Sequence, residues 1–281
     1  MGVVLGIDVG GSTTKIVGLR DGALMGVLQV RAGDQMTALF GAIGNFLRER
    51  SVSLGDVSEI ILTGVGASFI GPELIYGIRT RKVNEFQALG QGGLSLSGLD
   101  EALVVSMGTG TAFVRAGLDG AVRVGGSGVG GGTVLGLASQ MLGKSDINAI
   151  LAMAESGKPG NIDLTVGDIT GCDIPSLPSE LTAANFGKIS SMASEADIAL
   201  GIVNMVFETV GMLAVFALRN DSIRDVALTG TLATFPQAGA VFSKFTSLTG
   251  LNFVIPENAA FATALGAAVA AASPPKLREE S

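Results

Sequence analysis

The stretch Gly6-Ile7-Asp8-Val9-Gly10-Gly11-Ser12-Thr13-Thr14-Lys15 joins two predicted strands, Val3–Asp8 and Thr14–Leu19, near the start of the chain. Its paired glycines allow positive backbone φ and let the backbone approach an anion closely. Consecutive amides in such a turn form a concavity that attracts phosphate oxygens, and the hydroxyls that follow add donors. The chain then continues as a strand, so the turn is neither a Walker A loop nor a Rossmann turn. A plain hairpin with a capping aspartate is the alternative that this stretch alone leaves open.

The same order of elements recurs later in the chain. Met107-Gly108-Thr109-Gly110-Thr111 follows an apolar strand predicted at Ala102–Ser106. Each glycine-rich turn leads into a strand and then an Asp-Gly hairpin, at Asp21-Gly22 and at Asp119-Gly120. A single Gly-x-Gly is weak evidence for phosphate binding, but two turns at matching points of a duplicated unit are much stronger. The duplication predicts an α/β protein whose two similar lobes face one nucleotide cleft.

The duplication also sets the predicted boundaries, with an N-terminal lobe at 1–100, a C-terminal lobe at 101–272 and a tail at 273–281. Thr229-Gly230-Thr231 is a third strand-end turn, placed for a nucleoside. Asp8 is predicted to hold Mg²⁺ through water, because Mg²⁺ keeps several of its waters. The residues predicted to bind ATP or its phosphates are Asp8, Gly10, Gly11, Ser12, Thr13, Thr14, Lys15, Gly108, Thr109, Gly110, Thr111, Gly230 and, before a predicted helix, Gly130, Gly131 and Gly132.

Composition excludes several classes of function. The 281 residues include no histidine and one cysteine, Cys172, which rules out histidine-based catalysis and a disulfide framework. Cys172 falls in a predicted polar connection, Pro159–Pro178, and is expected to be structural. The net charge of −7 argues against a nucleic-acid partner, since affinity for the phosphate backbone comes mainly from Lys and Arg.

The apolar segment Ile198–Leu218 is long enough to cross a membrane. Asn204 and Glu208 interrupt it four residues apart, on one helical face, so a buried or interface helix is predicted instead. No targeting sequence is recognised. The expected location is therefore the cytoplasm, with no membrane partner.

This arrangement resembles the superfamily of sugar kinases, heat-shock ATPases and actin. The resemblance implies two actin-like (ribonuclease H-like) lobes, with mixed sheets flanked by helices and a nucleotide cleft between them. A closer resemblance, to the type II pantothenate kinases, covers nearly the whole chain in family order, and its Arg123–Gly132 and Leu181–Gly187 stretches are specific to that family. The matching segments are Gly6–Ile16, Asn84-Glu85-Phe86, Met107–Thr111, Arg123–Gly132, Asn161–Ile169 and Leu181–Gly187.

The resemblance implies a homodimeric kinase that uses ATP and Mg²⁺ to convert pantothenate to 4′-phosphopantothenate, the first step of coenzyme A biosynthesis. It implies that Glu85 is the general base on the pantothenate hydroxyl and that Arg123 binds the pantothenate carboxylate. Thr109 and Gly126 are implied to contact the same substrate. From the residues alone, simpler interpretations are favoured over these roles. Glu85 is then a residue at a helix N-terminus, stabilised by the helix dipole, and Arg123 is a solvated arginine in a hairpin. Lys15 is placed either for the β- and γ-phosphates or as an exposed strand lysine.

One position departs from the family pattern. The family commonly has a serine directly after the second glycine turn, where it contacts pantothenate, and this chain has Ala112. Alanine cannot donate a hydrogen bond, so a kinase of another small hydroxy acid or of an amino sugar stays open. An alternative of another class is an ATPase that activates 2-hydroxyacyl-CoA dehydratases. Such activators need several cysteines for an iron–sulfur cluster between two subunits, and this chain has one.

Overall fold

The structure is a computed structural model that describes residues 2–31, 33–71, 74–171, 178–188 and 191–270. The first part of the chain contributes β1 (Val3–Val9), β2 (Thr13–Arg20), β3 (Ala23–Arg31), β4 (Val57–Thr63) and β5 (Thr80–Lys82). These strands form one sheet in the order β3-β2-β1-β4-β5. β1 pairs antiparallel with β2 and parallel with β4, so the sheet is mixed.

A second sheet repeats this arrangement. The further strands are β6 (Ala102–Met107), β7 (Thr111–Gly117), β8 (Gly120–Ser127), β9 (Leu164–Thr165), β10 (Thr182–Ala184), β11 (Asp225–Thr229) and β12 (Asn252–Val254). Five of them form a mixed sheet in the order β12-β11-β6-β7-β8, and β9 pairs with β10. β6 pairs antiparallel with β7 and parallel with β11. Its strand arrangement is thus that of the first sheet, as the repeated sequence pattern predicts.

Several helices begin at side chains that cap their first turn. Asp34 and Asn84 accept hydrogen bonds from the first-turn amides of the helices that follow them, and Ser194 forms a capping box with Asp197. The helices are α1 (Gln35–Glu49), α2 (Glu85–Ser97), α3 (Gly131–Leu142), α4 (Ile147–Ala154), α5 (Val166–Thr170), α6 (Glu195–Ala217), α7 (Pro236–Thr249) and α8 (Ala262–Val269). β1 and β6 are mostly apolar and largely buried, which fits central strands with helices on both faces.

Two helices join the sheets. α2 packs against β6, β7 and β8 of the second sheet, whereas α8, from the end of the chain, packs against β1, β2 and β4 of the first. The helices cross where a Cβ on Gly92 would clash with the carbonyl oxygen of Ala262, and a Cβ on Gly266 with that of Ala88. The backbones therefore touch. The predicted lobe boundaries, 1–100 and 101–272, stay a prediction.

α6 lies in the core beside the second sheet. By length and composition it could cross a membrane, but more than half of its most apolar window is buried inside the protein. Its fully buried residues include Ala199, Val203, Val206 and Val210, which belong to the cluster that packs against β6 and β11. This agrees with the predicted buried or interface helix, which begins a few residues earlier than Ile198.

The segment predicted as a polar connection, Pro159–Pro178, has secondary structure of its own. It contains β9 and α5, and Thr165 and Asp168 form the capping box that begins α5. The prediction of a plain connection is therefore wrong for residues 164–170. Cys172 lies outside the described residues.

The end of the chain is described up to residue 270. The last described elements are a 3₁₀ turn at Ala259–Phe261 and α8, which follows it directly. The predicted tail, 273–281, lies outside the described residues.

Candidate active site

Asp8 and Lys15 face each other across the first glycine turn, as paired residues of β1 and β2. A hydrogen bond of 3.0 Å from Gly10 N to Thr13 O closes that turn. Burial raises the pKa of Asp8 to about 6, although the Lys15 ammonium opposes the shift, and the Glu85 carboxylate adds to it. Burial lowers the pKa of Lys15, and Asp8 opposes that change. The strand ends therefore hold two opposite charges in a place that disfavours either charge alone.

The second glycine turn is held against the start of α3. Gly131 N donates to Gly108 O and Gly132 N donates to Thr109 O, each at 2.8 Å, and Gly130 N donates to Thr133 Oγ1 at 3.1 Å. These three amides were predicted to bind phosphate. Because each of them is already hydrogen-bonded within the protein, the arrangement does not support that role, and the glycines instead allow the helix to dock on the turn.

Two of the predicted phosphate ligands are interior residues. Thr14 is fully buried, and Thr111 is 5% exposed with its Oγ1 donating to Val129 O at 2.8 Å. The Thr111 hydroxyl is therefore occupied within the protein, and Thr14 Oγ1 has no hydrogen-bond partner among the described residues.

The three strand-end turns meet at one place. Ser12 Oγ of the first turn lies 3.4 Å from Thr109 Oγ1 of the second, and Lys15 Nζ donates to Thr231 Oγ1 of the third at 3.2 Å. Gly230 has a φ of 85°, and a Cβ there would lie 2.5 Å from Met107 O. Only glycine fits this close approach of β11 to β6. The structure thus brings together the turns that the sequence predicts to surround phosphates.

Sequence reasoning missed Gly64, which stands directly after β4. Its φ is 89°, and a Cβ there would clash with Asp8 Oδ1. The sequence did contain a signal for Gly64. β4 ends in Thr63 and is followed by Gly64, just as β11, at the matching place of the second sheet, ends in Thr229 and is followed by Gly230. The turn that contains Thr231 was predicted, but its contact with Lys15 was missed, because the two residues lie 216 positions apart.

Glu85 begins α2 and Arg123 lies on β8, and these two elements pack against each other. The cap of α2, Asn84, accepts from Phe86 N at 2.9 Å, and burial raises the pKa of the Glu85 carboxyl. The Arg123 guanidinium carbon lies 5.5 Å from the centre of the Phe86 ring, within the range of a cation–π interaction. A Cβ on Gly126 would lie 3.0 Å from Arg123 Nη2, so glycine leaves room for the guanidinium. The sequence reading of Phe86 missed this contact.

Ala112 is the residue that departs from the family pattern, and it pairs with Gly126 across β7 and β8. It is half-buried. Neither side chain has a polar atom, so this pair contributes no side-chain hydrogen bond to an acceptor. Arg123 is therefore the charged group that this hairpin places against Phe86, the chain neighbour of Glu85.

The residues at the strand ends fit a water-bridged magnesium ion. No cluster of three or more acidic, cysteine or histidine side chains able to hold a metal occurs among the described residues. Mg²⁺ in kinase sites is commonly bound by one or two carboxylates together with waters and substrate phosphates. Asp8 supplies one such carboxylate beside the phosphate-type turns, so the donor set fits an ion that arrives with its nucleotide.

Comparison with known proteins relates the chain to one enzyme family. The sequence model of the Fumble family matches residues 101–267. A type II pantothenate kinase of Staphylococcus haemolyticus (strain JCSC1435) is 33% identical over 221 residues, covering 74% of this chain and 82% of that protein. A type II pantothenate kinase of Bacillus cereus (strain G9842) is 25% identical over 278 residues, covering 94% and 96%.

Solved structures share the fold. The activator of the 2-hydroxyisocaproyl-CoA dehydratase from Clostridium difficile, with bound ADPNP, gives a TM-score of 0.69 at 15% identity, covering 96% of this chain and 94% of that one. Component A of the (R)-2-hydroxyglutaryl-CoA dehydratase of Acidaminococcus fermentans gives 0.67 at 17% identity, covering 96% and 97%. The ROK hexokinase of Thermus thermophilus gives 0.55 at 15%, covering 95% and 97%.

At such identities these likenesses establish the fold alone, and they confirm the predicted actin-like architecture of mixed sheets flanked by helices. The family rests on the sequence comparisons, because the Fumble match covers more than half of the chain and the staphylococcal relative exceeds 30% identity over most of it. The chain therefore belongs to the Fumble family of type II pantothenate kinases.

Proposed function

We propose that this chain is an ATP-dependent pantothenate kinase that forms 4′-phosphopantothenate, the first step of coenzyme A biosynthesis. The observation that carries the proposal is the start of α2, where Glu85 acts electrostatically on Asp8 at the first turn and its neighbour Phe86 lies under the Arg123 guanidinium. Glu85 is a desolvated carboxylate with a raised pKa, and Arg123 is a guanidinium held by Phe86. Pantothenate has a primary hydroxyl to activate and a carboxylate to bind, and these two groups match the two side chains.

In this proposal each residue has one task. Glu85 accepts the hydroxyl proton as the phosphoryl group is transferred, and burial makes it a stronger base than an exposed carboxylate. Arg123 binds the carboxylate and so fixes the register of the acceptor, with Thr109 and Gly126 next to it. Lys15 binds the phosphates of ATP together with amides of the first two turns other than those of Gly10 and Gly108, which already donate within their turns. Asp8 would hold Mg²⁺ through water, and that ion would neutralise charge on the phosphates.

The proposal extends to the setting of the enzyme. ATP and pantothenate are the expected small-molecule partners, and nucleic acid and membranes are not expected, in line with the net charge of −7 and the largely buried α6. The cytoplasm, where ATP is available, is the proposed location. A homodimer is the proposed assembly, supported by apolar side chains that α6 leaves exposed.

A second acceptor is favoured by Ala112. Pantothenate loses a hydrogen bond if its usual serine partner is replaced by alanine, at a cost of about 1–3 kcal/mol in binding. A related small hydroxy acid that does not use that hydrogen bond would keep both Glu85 and Arg123 occupied. The dehydratase-activator function receives no support from the shared fold, because the chain has one cysteine for a cluster that needs several.

The deciding experiment measures pantothenate-dependent ADP release by the purified protein with ATP and Mg²⁺. We expect turnover with pantothenate, at least a thousandfold loss in Glu85→Gln as an order of magnitude for a lost catalytic base, and unchanged ATP binding in that variant. Glu49→Gln, at the exposed end of α1, is the matched control and should retain full activity. A folded wild type that binds ATP and releases no ADP with pantothenate, but does so with another hydroxy acid, would transfer the proposal to that acceptor.

A further inference from the structure

Lys15 is a buried cation that obtains a hydrogen-bond acceptor from the other sheet. The residue is 8% exposed, and its ammonium donates to Thr231 Oγ1 at 3.2 Å. Among the described residues this is the side-chain acceptor that the structure gives to Nζ. A buried ammonium without a hydrogen-bond partner destabilises the folded protein, so the Thr231 hydroxyl stabilises the charged form of Lys15. Asp8, opposite Lys15 on β1, attracts the same ammonium.

Thr231 stands on a turn whose position is firmly fixed. It begins the 3₁₀ turn Thr231–Thr234 directly after β11. On one side, Gly230 N donates to Ala259 O at 2.9 Å, and on the other, Thr234 Oγ1 donates to Thr231 O at 2.8 Å. Lys15 has four rotatable side-chain bonds, so a rigid acceptor at its far end selects one direction for the ammonium.

We infer that Thr231 is a positioning residue that holds the Lys15 ammonium at the meeting point of the three turns, ready for the phosphates of ATP. An ammonium has three N–H donors. With one of them on Thr231, the others remain for phosphate oxygens. The inference rests on the proposed function only in taking ATP as the ligand, and it does not depend on which acceptor the enzyme uses.

The hydrogen bond between Lys15 and Thr231 joins the two sheets. Lys15 belongs to the first sheet and Thr231 follows a strand of the second, so the hydrogen bond exists only while the two strand ends stay this close. Ser12 and Thr109 make a second contact between the same sheets, at 3.4 Å. Lys15 is therefore correctly placed only when the cleft is closed at its base, which links phosphate binding to the separation of the sheets.

Ligand binding distinguishes a positioning role of Thr231 from a direct contact with the nucleoside. Were the residue a direct nucleoside contact, its loss would weaken binding of adenosine as much as binding of ATP. Were it a positioning residue, its loss would affect the phosphate-bearing ligand alone. In addition, a residue that acts through Lys15 should have no effect once Lys15 has been removed.

The experiment measures the Kd of a non-hydrolysable ATP analogue with Mg²⁺, and of adenosine, by titration calorimetry. Thr231→Val should weaken the ATP analogue about tenfold, the size expected for a lost hydrogen bond to a charged group, and change adenosine less than about twofold. Thr231→Ser should restore wild-type affinity, and Thr249→Val, at the remote end of α7, should leave both ligands unchanged.

The decisive comparison is a double-mutant cycle with Lys15→Met. Adding Thr231→Val to Lys15→Met should cause no further loss of affinity for the ATP analogue. Independent losses that add, or a matching loss of adenosine affinity, overturn the inference. Thermal melting checks that each variant is folded, and Thr231→Ala replaces the valine variant if the latter is not. A wild type that binds ATP normally but does not phosphorylate pantothenate would refute the proposed acceptor and leave this test intact.

Discussion

At the scale of single residues, Asp8 occupies a place that favours function over stability. Burial raises its pKa to about 6, which means that the folded protein resists the ionised form. The strain is useful in the proposed kinase, because a poorly solvated carboxylate gains more from a cation brought in with the nucleotide. The unliganded protein bears the cost, and that cost depends on pH.

We therefore expect Asp8→Asn to raise the free energy of unfolding of the metal-free protein while abolishing kinase activity. Below the unfolded-state pKa of 3.8 the carboxyl is protonated in both states and carries no penalty. The penalty grows as the pH rises through 3.8 toward the folded value of about 6, and above that it is complete. The gain should reach up to about 3 kcal/mol at pH 8 and fall by about half at pH 5.

Urea denaturation in the presence of EDTA measures this difference. Asp100→Asn, which changes an exposed carboxylate, is the matched control and should shift stability by less than about 0.5 kcal/mol at every pH. An Asp8→Asn variant that is less stable than wild type at pH 8 would show that the Lys15 attraction outweighs burial.

The residue scale also shows what sequence reasoning can and cannot predict about the site. Glycine patterns placed the three turns, because a backbone that needs positive φ or close approach leaves a mark in the residue type. The glycine patterns did not show which amides are free to bind a ligand. The amides of Gly130–Gly132 are already hydrogen-bonded to acceptors within the protein. Contacts such as Lys15 with Thr231 or Arg123 with Phe86 join distant segments, and no local pattern encodes them.

At the scale of elements, the crossing of α2 and α8 is the tightest contact of the fold. Gly92 and Gly266 each face the backbone of the other helix, and a Cβ on either one would clash with a carbonyl oxygen. The sequence does not predict this contact, because glycine inside a helix ordinarily destabilises it, whereas here glycine permits two backbones to meet.

Gly92→Ala should therefore destabilise the protein, by about 3 kcal/mol, since the added methyl group has no space and the helices must separate. Gly44→Ala is the matched control, because it lies inside α1 with open space around it. That substitution should stabilise the protein by about 0.5–1 kcal/mol through helix propensity. Denaturant unfolding should therefore show a lower free energy of unfolding for Gly92→Ala and a higher one for Gly44→Ala, each relative to wild type. Equal changes in the two variants would contradict this explanation.

At the scale of the whole molecule, duplication explains most of what the sequence predicted correctly. Two sheets with one strand arrangement place the ends of β1 and β6 next to each other, and the turns that follow them meet. The repeat could be recognised because strand, turn and hairpin signals recur in order. The segment with β9 and α5 lies outside the repeat, and there the predicted plain connection was wrong.

At the scale of the whole molecule, one side of α6 carries exposed apolar side chains. Met212, Leu213 and Phe216 are exposed, with Phe216 60% accessible, on the side of the helix away from its buried residues. Apolar side chains grouped in this way are typical of a protein–protein contact, and the proposed homodimer would bury them. Phe216→Glu would place charges in that interface, so the variant should be monomeric at micromolar concentration, where the wild type is dimeric.

Light scattering after size exclusion measures the mass of both proteins. Phe69→Glu is the matched control, because Phe69 is 78% exposed on a 3₁₀ turn next to the first sheet and lies outside the proposed interface. It should remain dimeric. A monomeric wild type would refute the dimer itself. A dimer that persists in Phe216→Glu and dissociates in Phe69→Glu would move the interface to the first sheet, and α6 would then owe its apolar surface to some other contact.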